Sequence, residues 1–484
     1  MKPSRRTRRH GARDERGVAL VLVLGAIAVM TVLLTEFQDE NAAEVSSAFA
    51  ERDALRAEYL ARSAVNLSRL LIAAEPTMRQ GLGIFFIGRS PPQVPIWEFA
   101  DRILGAFNDG DGTAEFARLT GTDPSRGKNL GLSGGRFDVA LLDEDSKLNV
   151  NLAARGDSIS QIRLASELLA LTAGDQYTPL FEQRDRDDQF TDRFTLCSSL
   201  IEWADPSELA FNCDPKSWAT GGGAARSTKD AFYQLLKTPY RRKNAAYDSL
   251  EELHLVRGMG DDFWSTFVDP DPDNPKKRVV TVWGKTEAAV NVNTANAQTL
   301  WAVVCSYAKP QTPTCTDVAE IQKFLMAVTL VRGFTSGAPL FGNAADFIKT
   351  MKGQGMFGPL LSALGIKPIE FTAEAELAKL ISTESKVFSI YADGVVPSYQ
   401  RKTRVRIHAV VDFRGAPPPA FGGPGAYPSP TGSVASGALA PAPAASGAVG
   451  AFGAPGGASA VGPGGIGAAF APNPGGTVIY FRIE

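Results

Sequence analysis

The sequence predicts an α+β protein: one very long N-terminal helix, an antiparallel sheet, and a large helical domain inserted between the strands. Three observations predict it. A 17-residue apolar run, VALVLVLGAIAVMTVLL at 18–34, passes directly into helix-compatible sequence without proline as far as about Ala74. Helical patterning then fills most of residues 159–364. Strand-like alternation lies on either side of that block, at 135–152 before it and at 384–413 and 477–484 after it.

With 484 residues the chain has room for two or three domains. Hydrophobic residues at 44% and charged residues at 21% exclude wholesale disorder. The two ends depart from the average. Seven Lys/Arg and two Asp/Glu precede Val18, whereas Gly415 to Phe481 holds no charged residue. Without the first 17 residues the chain has 43 basic and 50 acidic residues, a net of −7, which does not favour nonspecific nucleic-acid binding. Three histidines and four scattered cysteines exclude a CxxC zinc site.

The N-terminus is a basic leader, MKPSRRTRRHGARDERG, before the apolar run. Seventeen helical residues reach about 26 Å, enough for one tilted span of a ~30 Å hydrocarbon core with the basic side cytoplasmic. Four readings compete. A plain signal anchor fits the pattern. A cleaved secretory signal needs a small-x-small site, which Leu33-Leu34-Thr35-Glu36 does not offer. A buried core helix sits badly behind so basic a leader. A prepilin-type leader is cut before the apolar run, and Arg16-Gly17-Val18 fits that junction.

The residues beyond the apolar run favour the prepilin-type leader. From Glu36 to about Ala74, Phe37, Val45, Phe49, Leu55, Leu60, Leu67 and Leu71 form a broken apolar stripe, and Pro76 is expected to end the helix. Residues 18–74 as one helix would be about 85 Å long, a membrane span first and a fibre core against a globular head second.

Farther along, NDGDGT at 108–113 is read as a turn, because the further fixed positions of an EF-hand loop are missing. Residues 135–152 read as strand, acidic turn and second extended piece. The trio Asp143-Glu144-Asp145 is taken as a solvated turn, with cation binding as the alternative. The helical block is interrupted by one extended stretch at 279–293, and Asp248-Ser249-Leu250-Glu251-Glu252 has the pattern of a capped helix start. Residues 384–413 predict a hairpin. The Gly/Ala/Pro/Ser tract 415–476 has no periodicity that builds a core, so it is expected to be a flexible insertion before a last strand at 477–484.

Taken in order, RGVALVLVLGAIAVMT at the leader junction, EYLARSAVNLS at 58–68, LLDEDSKLNVNLA at 141–153, SLIEWADPSE at 199–208, TPYRRKNAAYDSLEELHLVRGM at 238–259 and VNVNTANAQTLWAV at 290–303 carry a family resemblance. From about Gly17 to Phe413 the chain resembles the K component of the type II secretion system, the largest minor pseudopilin (general secretion pathway protein K). The resemblance implies a pilin-like long helix on an antiparallel sheet with a helical domain inserted between strands. It implies a place at the tip of the pseudopilus with two other minor pseudopilins, the I and J components. The major pseudopilin, the inner-membrane secretion platform and the prepilin peptidase would be further partners. The expected divisions are a leader 1–17, a long helix 18–75, a sheet region 76–152, a helical domain 153–372 and C-terminal strands 373–484. The chain would cross the bacterial inner membrane once, with its bulk in the periplasm.

The resemblance also implies site residues. Cleavage between Gly17 and Val18 would be followed by N-methylation of Val18. Most pilin-like subunits have glutamate as the fifth mature residue, and the K family generally lacks it. Here that residue is Leu22, which suits a subunit with no neighbour above it to partner a buried carboxylate. In an ordinary anchor Leu22 is simply a membrane residue. Calcium is the one cofactor implied, through acids after the SLIEWADP motif: Asp205, Glu208, Asp214 and Asp230. Lys229 stands where the family has glutamate, and capping and turn acids are the alternative. Cys197, Cys213, Cys305 and Cys315 allow three disulfide pairings in an exported domain, of which the sequential one is preferred, with free buried thiols as the alternative.

Two further functions are weighed. VNVNTANAQTL resembles half of a helix-hairpin-helix module, but Asp261-Asp262 after RGMG put the wrong charge beside a phosphate. His10, His254 and His408 stand in no catalytic motif, and GxSxG, HExxH and P-loop patterns are absent, so no enzyme is expected. The expected function is structural, in pseudopilus initiation and protein export. The alternative is a membrane-anchored prepilin-like DNA-uptake or other binding protein that uses the helical domain.

Overall fold

The computed structural model describes residues 16–82, 91–108, 134–182, 184, 189–219, 229–284, 289–335, 337–397, 402–417 and 473–484. Leader residues 1–15 and tract residues 418–472 lie outside this set, as does most of the NDGDGT turn.

Helix α1 runs Arg16–Leu82, 67 residues, about 100 Å. Its two halves differ in what surrounds them. Every residue from Val18 to Phe49 is exposed. From Asp53 onward one face is buried: Ala57, Leu60, Ala61, Ala64, Val65, Ser68, Ile72 and Ala73 recur at helical spacing. Small alanines let this face lie close to a sheet. At Gly394 the approach leaves no room for a side chain, since a Cβ there would stand 1.8 Å from the Ala57 carbonyl oxygen.

Pro76 does not end the helix, contrary to the sequence expectation. Proline deletes the N–H that would bond the Ile72 carbonyl and costs about 3 kcal/mol inside a helix. Tertiary contacts hold the turn instead. The Glu75 carboxylate accepts the Val94 N–H at 3.0 Å, and Arg79 donates to Glu384 at 2.5 Å.

The main sheet has four antiparallel strands: β1 Arg136–Asp143, β6 Val387–Pro397, β7 Lys402–Asp412 and β8 Thr477–Ile483. They lie side by side in the order β1-β6-β7-β8. Alternation sorts their side chains between the two faces. Phe137, Leu141, Phe388, Ile390, Ala392, Ile407, Ala409 and Val411 join α1 in one apolar cluster. Tyr391 and His408 stand on the opposite face, stacked with ring centroids 4.1 Å apart. Arg278 of the insert donates to the Tyr391 hydroxyl at 2.9 Å, and Trp283 meets His408 edge-on. Burial there pushes His408 down to about 4.

Everything between β1 and β6 is the insert, and it is wider than the sequence suggested. Strand β2 (Leu148–Asn149) pairs in parallel with β3 (Val280–Thr281), and β4 (Val290–Asn291) with β5 (Ile381–Ser382). Residues 144–152 and 373–386 thus belong to the insert side of the junction. Its longer helices are α2 Ser158–Thr172, α3 Arg193–Ala204, α4 Ala297–Ser306 and α5 Val318–Thr335. Asp157, Asp192 and Asn296 cap the first three by accepting the N–H three residues on. The expected capped helix at 248–259 is only a 3-10 stretch, Leu250–Leu255. Ser249 makes no side-chain cap there; Glu252 is drawn instead to Lys243, the Asp248 N–H and the Trp203 indole N–H.

Candidate assembly surfaces and the acid loop

The first candidate surface is the free half of α1. Val18 to Leu34 carries no charge, and the first acid after it is Glu36. Among the described residues this is the one helix long and apolar enough to cross a membrane by length and composition, and none of that stretch is covered. Thr31 within it and Thr35 just after it donate back to the Ile27 and Thr31 carbonyls, which removes their need for water. Leu22 is 69% exposed on this half. Gly17 and Val18 lie in its first turns.

Two smaller apolar surfaces lie on the head. Strand β8 closes the sheet with one side unpaired among the described residues, and Ile479, Phe481 and Ile483 are exposed along it. Such an edge readily accepts another strand. On α5, Met326, Leu330 and Phe334 recur every four residues on an uncovered face, Phe334 being 81% exposed. Sequence patterning missed both, because an exposed apolar residue has the same letter as a buried one.

The four acids named for calcium are taken up by other partners. Among the described residues no group of three or more His, Cys, Asp or Glu is placed to hold a metal ion. Asp205 follows the C-terminus of α3. Its carboxylate accepts the Ser207 N–H at 3.0 Å, the Ser207 hydroxyl at 2.6 Å and the Lys229 ammonium at 2.9 Å. These donors outweigh burial and hold Asp205 below the usual carboxylate range. Asp230 lies beside Arg242 at 3.4 Å, and Glu208, largely exposed, lies 3.7 Å from the same guanidinium. Asp214 accepts the Lys216 N–H at the start of the short helix Pro215–Ala219. The set that sequence grouped as ligands is therefore divided between a lysine, an arginine and a helix start.

Both disulfides join sequential cysteines, Cys197 to Cys213 and Cys305 to Cys315. The first ties α3 to Cys213, just before the short helix Pro215–Ala219. The second joins α4 to the turn before α5. Free cysteines are absent among the described residues.

The acidic trio after β1 is not a solvated turn. Asp143, Glu144 and Asp145 are all buried where sheet and insert meet. Asp143 accepts the Thr294 and Ser385 hydroxyls. Asp145 accepts the Lys386 N–H at 2.7 Å and the Val387 N–H at 3.2 Å. Glu144 pairs with the buried Lys147 at 3.1 Å and accepts the Thr281 hydroxyl. Burial, with the neighbouring Asp145 charge, raises Asp143 to about 7. Burial would raise Glu144 too, but Lys147 and the hydroxyls hold it low. Apart from Lys147, which LLDEDSK itself supplies, the partners come from residues 281–387, so the local sequence does not show them.

Residues 290–303, the candidate phosphate-binding turn, are used internally. Arg332 donates to the Val292 and Thr294 carbonyls, while Asn293 accepts the Leu340 and Phe341 N–H groups. His254 stacks on Trp264 with centroids 3.8 Å apart.

No protein-family model and no curated protein sequence matches the chain. A solved structure that it is similar to is the GspK-GspI-GspJ complex from the enterotoxigenic Escherichia coli type 2 secretion system. The match has 16% identity and a TM-score of 0.34, and covers 58% of this chain and 76% of that one.

Proposed function

We propose that the chain is a minor pseudopilin of a type II secretion system, the K component, and that it caps the pseudopilus tip and helps to initiate it. The carrying observation is α1: one unbroken helix, apolar and wholly uncovered from Val18 to Leu34, yet buried on a sheet beyond Asp53. An ordinary signal anchor has no need of about 50 Å of rigid helix between its head and its leader. A subunit that must leave the bilayer and pack lengthwise against others does. The uncovered β8 edge and the α5 stripe offer further contact area for the I and J components. The interior use of the 290–303 turn argues against the DNA-binding alternative. On this reading the protein is not an enzyme, is cut between Gly17 and Val18 and methylated at Val18, spans the inner membrane once, and holds its head in the periplasm. It would also meet the major pseudopilin, the secretion platform and the prepilin peptidase.

The test is intact mass and N-terminal sequencing of the protein from its native membrane. A chain beginning at Val18, with or without one methyl group, is expected. A chain beginning at Met1, or cut after Leu34, overturns the proposal.

A further inference from the structure

The acid loop does not fit a metal ion, and the misfit is specific. The Lys229 ammonium is enclosed, its side chain and that of Asp205 both 1% exposed. It donates to a carboxylate oxygen of Asp205 and to the Ser207 carbonyl, each at 2.9 Å. One carboxylate and one carbonyl, brought together by a tight turn, are the oxygen donors a hard cation takes. Here a cation fixed to the chain already occupies them. A second fixed cation lies alongside. Arg242, its side chain 2% exposed, donates to the Glu202 carbonyl at 2.8 Å and the Asp205 carbonyl at 3.3 Å. Those carbonyls end α3, where positive charge is favoured. A divalent ion would have to enter beside two buried positive charges, against their repulsion.

We propose that the Lys229 ammonium is the structural cation of this loop, and that the helical domain keeps its stability without calcium. Lys229 lies 24 residues from Asp205 in sequence, so its amine clamps the end of α3 to the segment leading into Tyr233 and Arg242. Tyr233 packs on Trp203 of α3, with ring centroids 5.5 Å apart, so the clamp and the aromatic contact close the same part of the domain. This proposal stands whether or not the assembly role is correct.

The test uses the full-length protein in detergent, melted in millimolar calcium chloride and in millimolar EDTA. The two midpoints should coincide, and calorimetry should find no saturable calcium binding. A metal bound at a hundred times its Kd would separate the melts by about 5–10 °C. Such a separation, or one tightly bound calcium per chain, overturns the proposal. Lys229→Met keeps most of the stem and removes the charge. It should melt below the wild type in EDTA, and calcium should restore part of the loss by entering the freed donors. A variant that melts with the wild type in EDTA overturns the proposal. If Lys229→Met does not fold, Lys229→Arg decides: a fold that retains the wild-type insensitivity to calcium supports a fixed cation, and a fold that gains stability from calcium refutes it.

Discussion

Two of the places where the described residues bury carboxylates neutralise them by different means. At the junction of sheet and insert, Asp143, Glu144 and Asp145 share one buried ammonium, Lys147, and otherwise rely on hydroxyls and backbone N–H groups. In the acid loop, the buried Asp205 pairs with Lys229, and the partly exposed Asp230 lies beside Arg242. The difference shows in the titrations. Asp143 is raised to about 7, whereas Asp205 lies below the usual range. Burial opposes ionisation at both, and local charge decides the sign. Hydrogen bonds alone permit a shared proton; a dedicated cation keeps the carboxylate ionised.

Removing the junction ammonium should break the comparison most severely. Lys147→Met leaves Glu144 buried and unpaired, a loss of about 3–5 kcal/mol, measurable by urea unfolding in detergent.

The pH dependence should differ in sign. Asp143 has a folded pKa above its unfolded one. Its contribution is therefore complete below about pH 4 and is lost as pH rises through about 7, by at most about 4 kcal/mol. Asp205, with a lowered pKa, contributes above its unfolded pKa and loses that contribution as pH falls through the folded one. Asp143→Asn should flatten the decline between about pH 4 and 7, as read from unfolding midpoints across that range. An unchanged slope would remove Asp143 as its source.

Single hydroxyls should matter less. Ser207→Ala removes a donor to an ionised carboxylate and should cost about 1.5–3 kcal/mol, while Ser385→Ala removes one from a carboxyl that is only partly ionised at neutral pH and should cost about 1 kcal/mol. Equal losses in paired denaturation curves would contradict the different charge states. Glu208→Ala should be the smallest change. Its side chain is 87% exposed and 3.7 Å from Arg242, so thermal midpoints should move by no more than about 0.5 kcal/mol equivalent.

Much of the architecture is legible from periodicity. The apolar run and the stripe after it predict one long helix, and alternation at 384–413 and 477–484 predicts strands that pair as β6, β7 and β8. Legibility ends where partners are distant. Pro76 reads as a stop because its cost is local, whereas the contacts from Val94 and Glu384 that offset it are not. LLDEDSK reads as a solvated turn because three adjacent acids are expensive to bury without partners. Those partners are Thr281, Thr294, Ser385 and the backbone after it. The acids grouped as calcium ligands are close in sequence, but Lys229 and Arg242, brought in from farther along the chain, pair with three of them.

By itself the sequence determined the order of elements, the apolar N-terminal half of the long helix and the cysteines available for bridging. These follow from repeats of 3.6 and 2 residues and from composition, which act over a few residues. Only the tertiary structure decided which charges are buried, which carboxyl is pushed up in pKa, how far α1 runs past Pro76 and which side chains pair with Asp205. Those outcomes depend on desolvation and on charges brought near by folding, and neither is a property of a short stretch of chain.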